Sequence, residues 1–179
     1  SLNSSSYDYV AWGWRAGGSK NACNVDDVGY ASAAAAGLNG GSLALTAASV
    51  GTKQGFSMVT FGGYTYYTDY TLIHGLNNAP DFIIARDSTL VSQWTIYHSG
   101  LTSAHNLYFL TSASSTRSST TMFVGSPTST LFTYRSNNGG SPHNGIAYCW
   151  HNVPGLQKFG SYTGNGNADG PMVETGFSP

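Results

Sequence analysis

Apolar and polar positions alternate with a period of two over 9–16 (YVAWGWRA), 55–61 (GFSMVTF), 81–87 (DFIIARD), 93–99 (QWTIYHS), 106–112 (NLYFLTS), 129–136 (STLFTYRS) and 145–152 (GIAYCWHN). An extended chain turns successive side chains to opposite sides, so each of these stretches predicts a β-strand with one side against a core. Asn-Gly pairs at 39–40, 138–139, 144–145 and 165–166 predict turns, because these residues reach positive φ most cheaply. Many short strands with no sustained helical period predict an all-β chain, an antiparallel β-sandwich or jelly roll. The one helical candidate is 30–38 (YASAAAAGL), Ala-rich and closed by Gly, which reads equally as a short helix or a small-residue linker.

The phrase YVAWGWRAGG at 9–18 returns as GIAYCWHNVPG at 145–155. Aligning Ala11 with Ala147 places Trp12 on Tyr148, Trp14 on Trp150 and Arg15 on His151. A second echo follows each in the same order, GFSMVTFGGYT at 55–65 and GLQKFGSYTGNG at 155–166. Ordered echoes of this kind indicate an internal repeat with a period of about 140 residues. The expected organisation is one β-sandwich unit over 1–155, with an Ala/Gly-rich insert at about 18–54, and the first strand segment of a following, truncated unit over 156–179. A bare edge strand invites association, so 156–179 is expected to pair with a sheet edge of its own chain or of a neighbour. The opening SLNSSSYD has no Met, no basic n-region and no apolar h-region, and reads as a processed or excised piece of something longer.

Composition narrows the function classes. Only 8% of the 179 residues are charged, against roughly 25% in an ordinary soluble domain. Polarity comes instead from Ser, Thr, Asn and Gly, while 40% hydrophobic and 13% aromatic residues supply enough material for one core. A net charge of -1 leaves no electrostatic footprint for nucleic acid or an anionic membrane. No run approaches the roughly 18 apolar residues of a membrane span. The two cysteines, Cys23 and Cys149, leave a single disulfide open, with a small buried thiol the commoner state at Cys149 inside its alternating stretch.

At 24–38 (NVDDVGYASAAAAGL), 49–57 (SVGTKQGFS), 74–84 (HGLNNAPDFII), 94–101 (WTIYHSGL), 126–133 (SPTSTLFT) and 146–171 (IAYCWHNVPGLQKFGSYTGNGNADGP), the chain resembles a known family. It is similar to the repeat domain of large structural proteins of marine tailed phages, especially cyanophages and pelagic phages, over nearly its whole length. The resemblance implies a virion-associated, extracellular protein of tail, fibre or capsid surface, built from tandem sandwiches like the concanavalin A-like lectin fold. Its implied partners are other copies of itself, as a homo-oligomer, or other virion proteins. The family's pattern continues past TGFSP with another apolar strand.

Candidate chemistry is sparse. Glycoside hydrolysis needs two carboxyl groups flanking the sugar bond, and the chain has one glutamate, Glu174, and no alternating carboxylate pair. A GxSxG elbow is absent, and His74, His98, His105, His143 and His151 show no metal-ligand spacing. Each His is expected as a hydrogen-bonded turn or strand residue. Asn165, Asn167 and Asp169 in TGNGNADGP offer alternating oxygen ligands for a weak Ca2+ site, although Asn-Gly and Asp-Gly are also ordinary hairpin residues. Tyr64, Tyr66, Tyr67, Tyr70 and Asp69 in YTYYTDY carry more aromatic surface than a solvated turn needs, and suit either a sugar face or a protein partner. Trp12, Trp14, Trp94 and Trp150 are expected in the core. The first expectation is therefore a non-enzymatic structural or decoration module for virion assembly and surface display. The alternative is a carbohydrate-binding adhesion module that recognises host surface polysaccharide, with no cofactor beyond that candidate Ca2+.

Overall fold

The computed structural model describes residues 11, 13–90, 92, 94–101, 105–108, 117–118, 122–136 and 142–178, with backbone alone at 105–108 and 117–118. Its elements are β1 (Cys23–Val25), β2 (Val28–Tyr30), β3 (Leu45–Gly51), β4 (Phe56–Tyr64), β5 (Asp69–Ile73), β6 (Phe82–Asp87), β7 (Thr95–His98), β8 (His105–Tyr108), β9 (Arg117–Ser118), β10 (Met122–Phe123), β11 (Leu131–Arg135) and β12 (His143–Trp150). Nine strands form one sheet in the order β2-β1-β3-β4-β12-β6-β7-β8-β9, and a second sheet has the order β10-β11-β5. The two pack as a β-sandwich, and the chain is all-β as its period-two pattern predicts. The β1–β3 pair is parallel, so the large sheet is mixed rather than wholly antiparallel.

The core lies between the sheets. Val59, Phe61 and Tyr64 of β4, Ile83 and Ala85 of β6, and Ala147 and Cys149 of β12 face Leu72 of β5 and Phe132 and Tyr134 of β11. Burying each large apolar side chain stabilises the fold by about 1.5–3 kcal/mol. The central strand β12 turns small residues inward, because rings from its neighbours occupy the space above it. Gly145 stands opposite Phe61 in the ladder, and a Cβ there would lie 2.6 Å from ring carbons of Phe61. The expected turn at Asn144-Gly145 is thus a strand, with the glycine required by close packing. Cys23 and Cys149 are both buried and unpaired, and burial pushes the Cys149 thiol well above its ordinary range.

The helical candidate at 30–38 is one closed turn, and no helix forms there. Ser32 Oγ accepts Ala35 N–H at 3.1 Å, as an N-cap would. Leu38 N–H then donates to Ala33 O at 2.8 Å and Gly37 N–H to Ala34 O at 3.0 Å, with Gly37 at φ 73. That pair of bonds is a Schellman C-cap, so start and stop signals lie too close together for a second turn. Residues 18–54, read from the sequence as an insert, supply β1, β2 and β3 to the large sheet.

Of the stretch 9–16, residues 11 and 13–16 carry no strand. At the other end a single bridge joins Val153 to Gln157, and residues 158–178 form no ladder within the chain, so of the two expected pairings the one with a sheet edge of its own chain is not made. Lys158 Nζ donates to Glu174 O at 2.7 Å, closing that segment on itself.

Candidate functional site

Strands β4, β12 and β6 are apolar on both sides. Opposite the core, the ladder aligns Phe56 with Trp150 and Phe82, and Met58 with Tyr148 and Ile84. Trp14, Phe56, Ile84, Trp94, Tyr148 and Trp150 line an open cleft of about 440 Å³ on this outer face. Ring centroids lie 4.9 Å apart for Phe56 and Trp150, 5.6 Å for Trp14 and Trp150, and 5.9 Å for Trp94 and Tyr148. The Arg86 guanidinium sits over the Trp94 ring at 5.2 Å, a cation–π contact. Phe159 stacks on Phe82 at 5.3 Å and closes one margin of the aromatic layer.

Of the tryptophans expected in the core, Trp150 is buried, but on the outer side of the large sheet under Trp14 and Phe159, and Trp14 and Trp94 are not buried, Trp14 being 51% exposed and Trp94 half-exposed. Trp12 lies outside the described residues. The signal was present in the sequence, because FIIA in β6 and IAYCW in β12 are continuous apolar runs, which mark strands covered on both faces.

The tyrosine cluster divides. Tyr64 is fully buried and belongs to the core, which corrects its place among the candidate surface residues. The reason is a β-bulge: His143 pairs with Tyr64 and Asn144 with Gly62, leaving Gly63, at φ 84, as an extra residue that turns Tyr64 inward. There its hydroxyl donates to Asn144 O at 3.1 Å, and desolvation with the nearby Tyr134 and Asp87 raises its pKa far above the ordinary phenol. Tyr70 packs against the core, with its hydroxyl 3.1 Å from Thr65 Oγ1. Asp69 faces Arg135 across the β5–β11 ladder and gives both carboxylate oxygens to it, Oδ2 at 2.6 Å from Nη2, so the guanidinium holds its carboxyl below the usual range. Tyr66 and Tyr67 alone project, 44% and 56% exposed, with ring centroids 4.0 Å apart.

At the candidate calcium loop, Asn165 Oδ1 accepts Asn167 N–H at 3.0 Å and its Nδ2 donates to Asp169 O at 2.9 Å. The Asn165 side chain therefore closes a turn, and Asn165, Asn167 and Asp169 are all exposed. Among the described residues no three His, Cys, Asp or Glu side chains gather as a metal site.

Among the described residues, Asp26, Asp27, Asp81 and Asp87 are likewise held by structural partners. Asp26, in the two-residue β1–β2 turn, accepts Thr52 N–H at 2.8 Å, and Asp27 pairs with Arg15. Asp81 accepts Ser99 Oγ at 3.1 Å and Asn152 N–H at 2.8 Å. Asp87 is fully buried: Oδ1 accepts Thr89 and Leu90 N–H at 2.7 and 3.1 Å, and Oδ2 lies 3.1 Å from His143 Nδ1. A polar cleft of about 430 Å³ at one end of the sandwich is lined in part by Lys53, Asn78, Asp81 and His151.

His74, His98 and His151 make the hydrogen bonds expected of turn and strand residues, whereas neither ring nitrogen of the buried His143 has a hydrogen-bond partner. His74 Nε2 is 3.2 Å from Thr128 O and its Nδ1 accepts Leu76 N–H at 3.2 Å. His98 Nδ1 accepts Gly100 N–H at 2.9 Å, and His151 Nδ1 is 2.7 Å from Asn152 O. The side chain of His105 lies outside those described.

In comparison with known proteins, the family model described as Domain of unknown function (DUF7483) matches residues 1–179. No curated protein and no solved structure matches the chain significantly.

Proposed function

The chain belongs to the family described as Domain of unknown function (DUF7483), and from that premise we propose a non-enzymatic structural module of a phage virion that assembles with other copies of itself through the outer aromatic face. The observation that carries this reading is the cleft around Trp14, Trp94, Tyr148 and Trp150. The core between the sheets is complete without it, so a second aromatic layer on the far side of β4, β12 and β6 is surplus to the fold. Exposed Trp, Tyr and Arg are the side chains that dominate protein interfaces.

A glycan site of this size would need several polar groups converging on hydroxyls. The cleft walls carry only indole N–H and phenol O–H groups, with the Arg86 guanidinium beside them. A second copy fits better, because the chain's own sequence repeats its strand phrases and so describes a protein whose neighbours are similar modules. The resemblance to phage structural repeats supports the virion setting. The commitment of Asp26, Asp27, Asp69, Asp81 and Asp87 to structural partners supports a role without catalysis.

Sedimentation velocity across a concentration series tests the proposal. Trp94→Ser is expected to weaken self-association by about tenfold or more, the loss of an interface anchor worth about 1–2 kcal/mol. An unchanged association constant in that variant would reject the aromatic face as the contact. A glycan array run in parallel addresses the adhesion alternative: saturable binding that disappears in Tyr66→Ala/Tyr67→Ala would favour it instead.

A further inference from the structure

The outer aromatic face is concave, and two such clefts brought together would leave a hollow between them. A gap of that kind loses the packing on both of its walls, so the contact needs a side chain that projects into it. Among the described residues the most exposed large apolar side chain is Met172, at 91%, and its neighbour Val173 is 54% exposed. The segment that carries this pair is tied down. Lys158 Nζ donates to Glu174 O at 2.7 Å, Thr175 Oγ1 donates to Phe177 O at 2.6 Å, and Thr175 and Gly176 share a small cleft with Pro154 and Gln157. A backbone already held in place loses less freedom on docking than a loose one.

Shape chemistry and charge both match the pair to the cleft. Trp14, Phe56, Trp94, Tyr148 and Trp150 set five rings around Ile84, and a thioether packs favourably on ring edges and adapts to an irregular gap. Beside the cleft stands Arg86, with Nε donating to Asp87 O at 3.1 Å and the guanidinium over Trp94. Among the described residues no carboxylate side chain pairs with that guanidinium. Glu174, the residue after Val173, is exposed, and its carboxylate has no ion-pair partner among the described residues. An apolar pair followed by an anion thus meets an apolar cleft bordered by a cation. Tyr66 and Tyr67 match less well, because their ring centroids lie 4.0 Å apart and the acid near them, Asp69, is given to Arg135.

We infer that Met172 and Val173 of one copy seat in the aromatic cleft of a second copy, where Glu174 meets the Arg86 guanidinium. The inference rests on the assembly reading and deepens it by naming what the aromatic face receives. Each copy carries one such segment and one such cleft, so two copies exchange segments as a two-fold dimer or successive copies join head to tail. The occupant is another copy of this chain because the complementary group, apolar pair and acid together, is displayed by the chain itself.

Sedimentation velocity of the full chain across a concentration series tests the contact by exchanging its charges. Arg86→Glu and Glu174→Arg each bring like charges together and are expected to weaken self-association by about fivefold. The double variant Arg86→Glu/Glu174→Arg is expected to recover most of that loss. Met172→Ser/Val173→Ser removes the apolar pair from an exposed segment, and is expected to weaken association by about tenfold or more while leaving the melting temperature unchanged. A double charge variant that associates no better than the single ones overturns the inference, and so does a serine pair that associates like wild type. Should Arg86→Glu lower the melting temperature, the serine pair decides. Trp94→Ser separates this contact from the wider reading: association lost there but kept in the serine pair removes the 172–174 segment and leaves the aromatic face as an interface with a different occupant. Association lost in the serine pair but kept in Trp94→Ser places the segment elsewhere and overturns the inference, and a wild-type chain that stays monomeric removes both.

Discussion

Lowering the pH should weaken this fold through one residue. His74 is fully buried, and its two ring nitrogens are used in opposite senses. Nε2–H points to Thr128 O, and Nδ1 accepts the Leu76 N–H. That arrangement fits the neutral ring only, since a second proton at Nδ1 would face a donor. Burial, with the nearby His151 adding to it, pushes His74 from its ordinary 6.5 down to about 4. The unfolded chain therefore takes up a proton between these two values while the folded chain does not. Stability is at its full value above pH 6.5 and falls as pH drops toward 4. Integrated over that shift, the loss from His74 is about 2 kcal/mol between pH 7 and pH 5, and about 3 kcal/mol at its limit. Urea unfolding followed by tryptophan fluorescence at a series of pH values measures it, with His74→Gln as the comparison. Gln keeps a donor for Thr128 O but loses the Leu76 acceptor, so the variant should be about 1–2 kcal/mol less stable at neutral pH. Its decline between pH 7 and 5 should be smaller than that of wild type by about 2 kcal/mol. Equal pH slopes in the two proteins would refute the reasoning.

Two further outcomes follow from the core. Gly145→Ala should cost about 1–3 kcal/mol through collision with the Phe61 ring, whereas Gly160→Ala, with open space at its Cβ, should leave the melting temperature unchanged. Asp87→Ala should cost about 3–5 kcal/mol in chemical denaturation, because it strips a buried acceptor from the Thr89 and Leu90 N–H groups and removes the carboxylate that lies 3.1 Å from the buried His143 ring. Asp87→Asn retains an oxygen for the two backbone donors and should cost clearly less; equal costs would place the effect in the charge beside His143 alone.

The alternation of apolar residues was enough to find β4, β6, β7, β11 and β12, the strands that carry most of the core. It was silent on β1, β2 and β3, where Asn24, Gly29, Ala47 and Ser49 give little contrast between the two sides. It also misassigned Tyr64, because a bulge at Gly63 shifts the phase and two adjacent glycines carry no side chain to report the change. Asp69 looked available in YTYYTDY, but its partner Arg135 stands on a strand distant in sequence, and only the β5–β11 register brings them together. The aromatic cleft was missed for a different reason: a strand's own period separates two sides without saying which of them meets the second sheet. Trp14 and Trp94 needed the pairing order to be placed.

The position of β12 has a consequence for biosynthesis. Among the described strands it comes last in sequence, yet it lies in the middle of the large sheet, inserted between β4 and β6. Until residues 143–150 emerge from the ribosome, the two halves of that sheet have no seam between them, and the facing edges of β4 and β6 stay open. Closure must wait for partners roughly sixty to ninety positions upstream, the kind of topology that folds in milliseconds to seconds. A nascent chain stalled before Pro142 should therefore be open to proteases that spare the finished molecule.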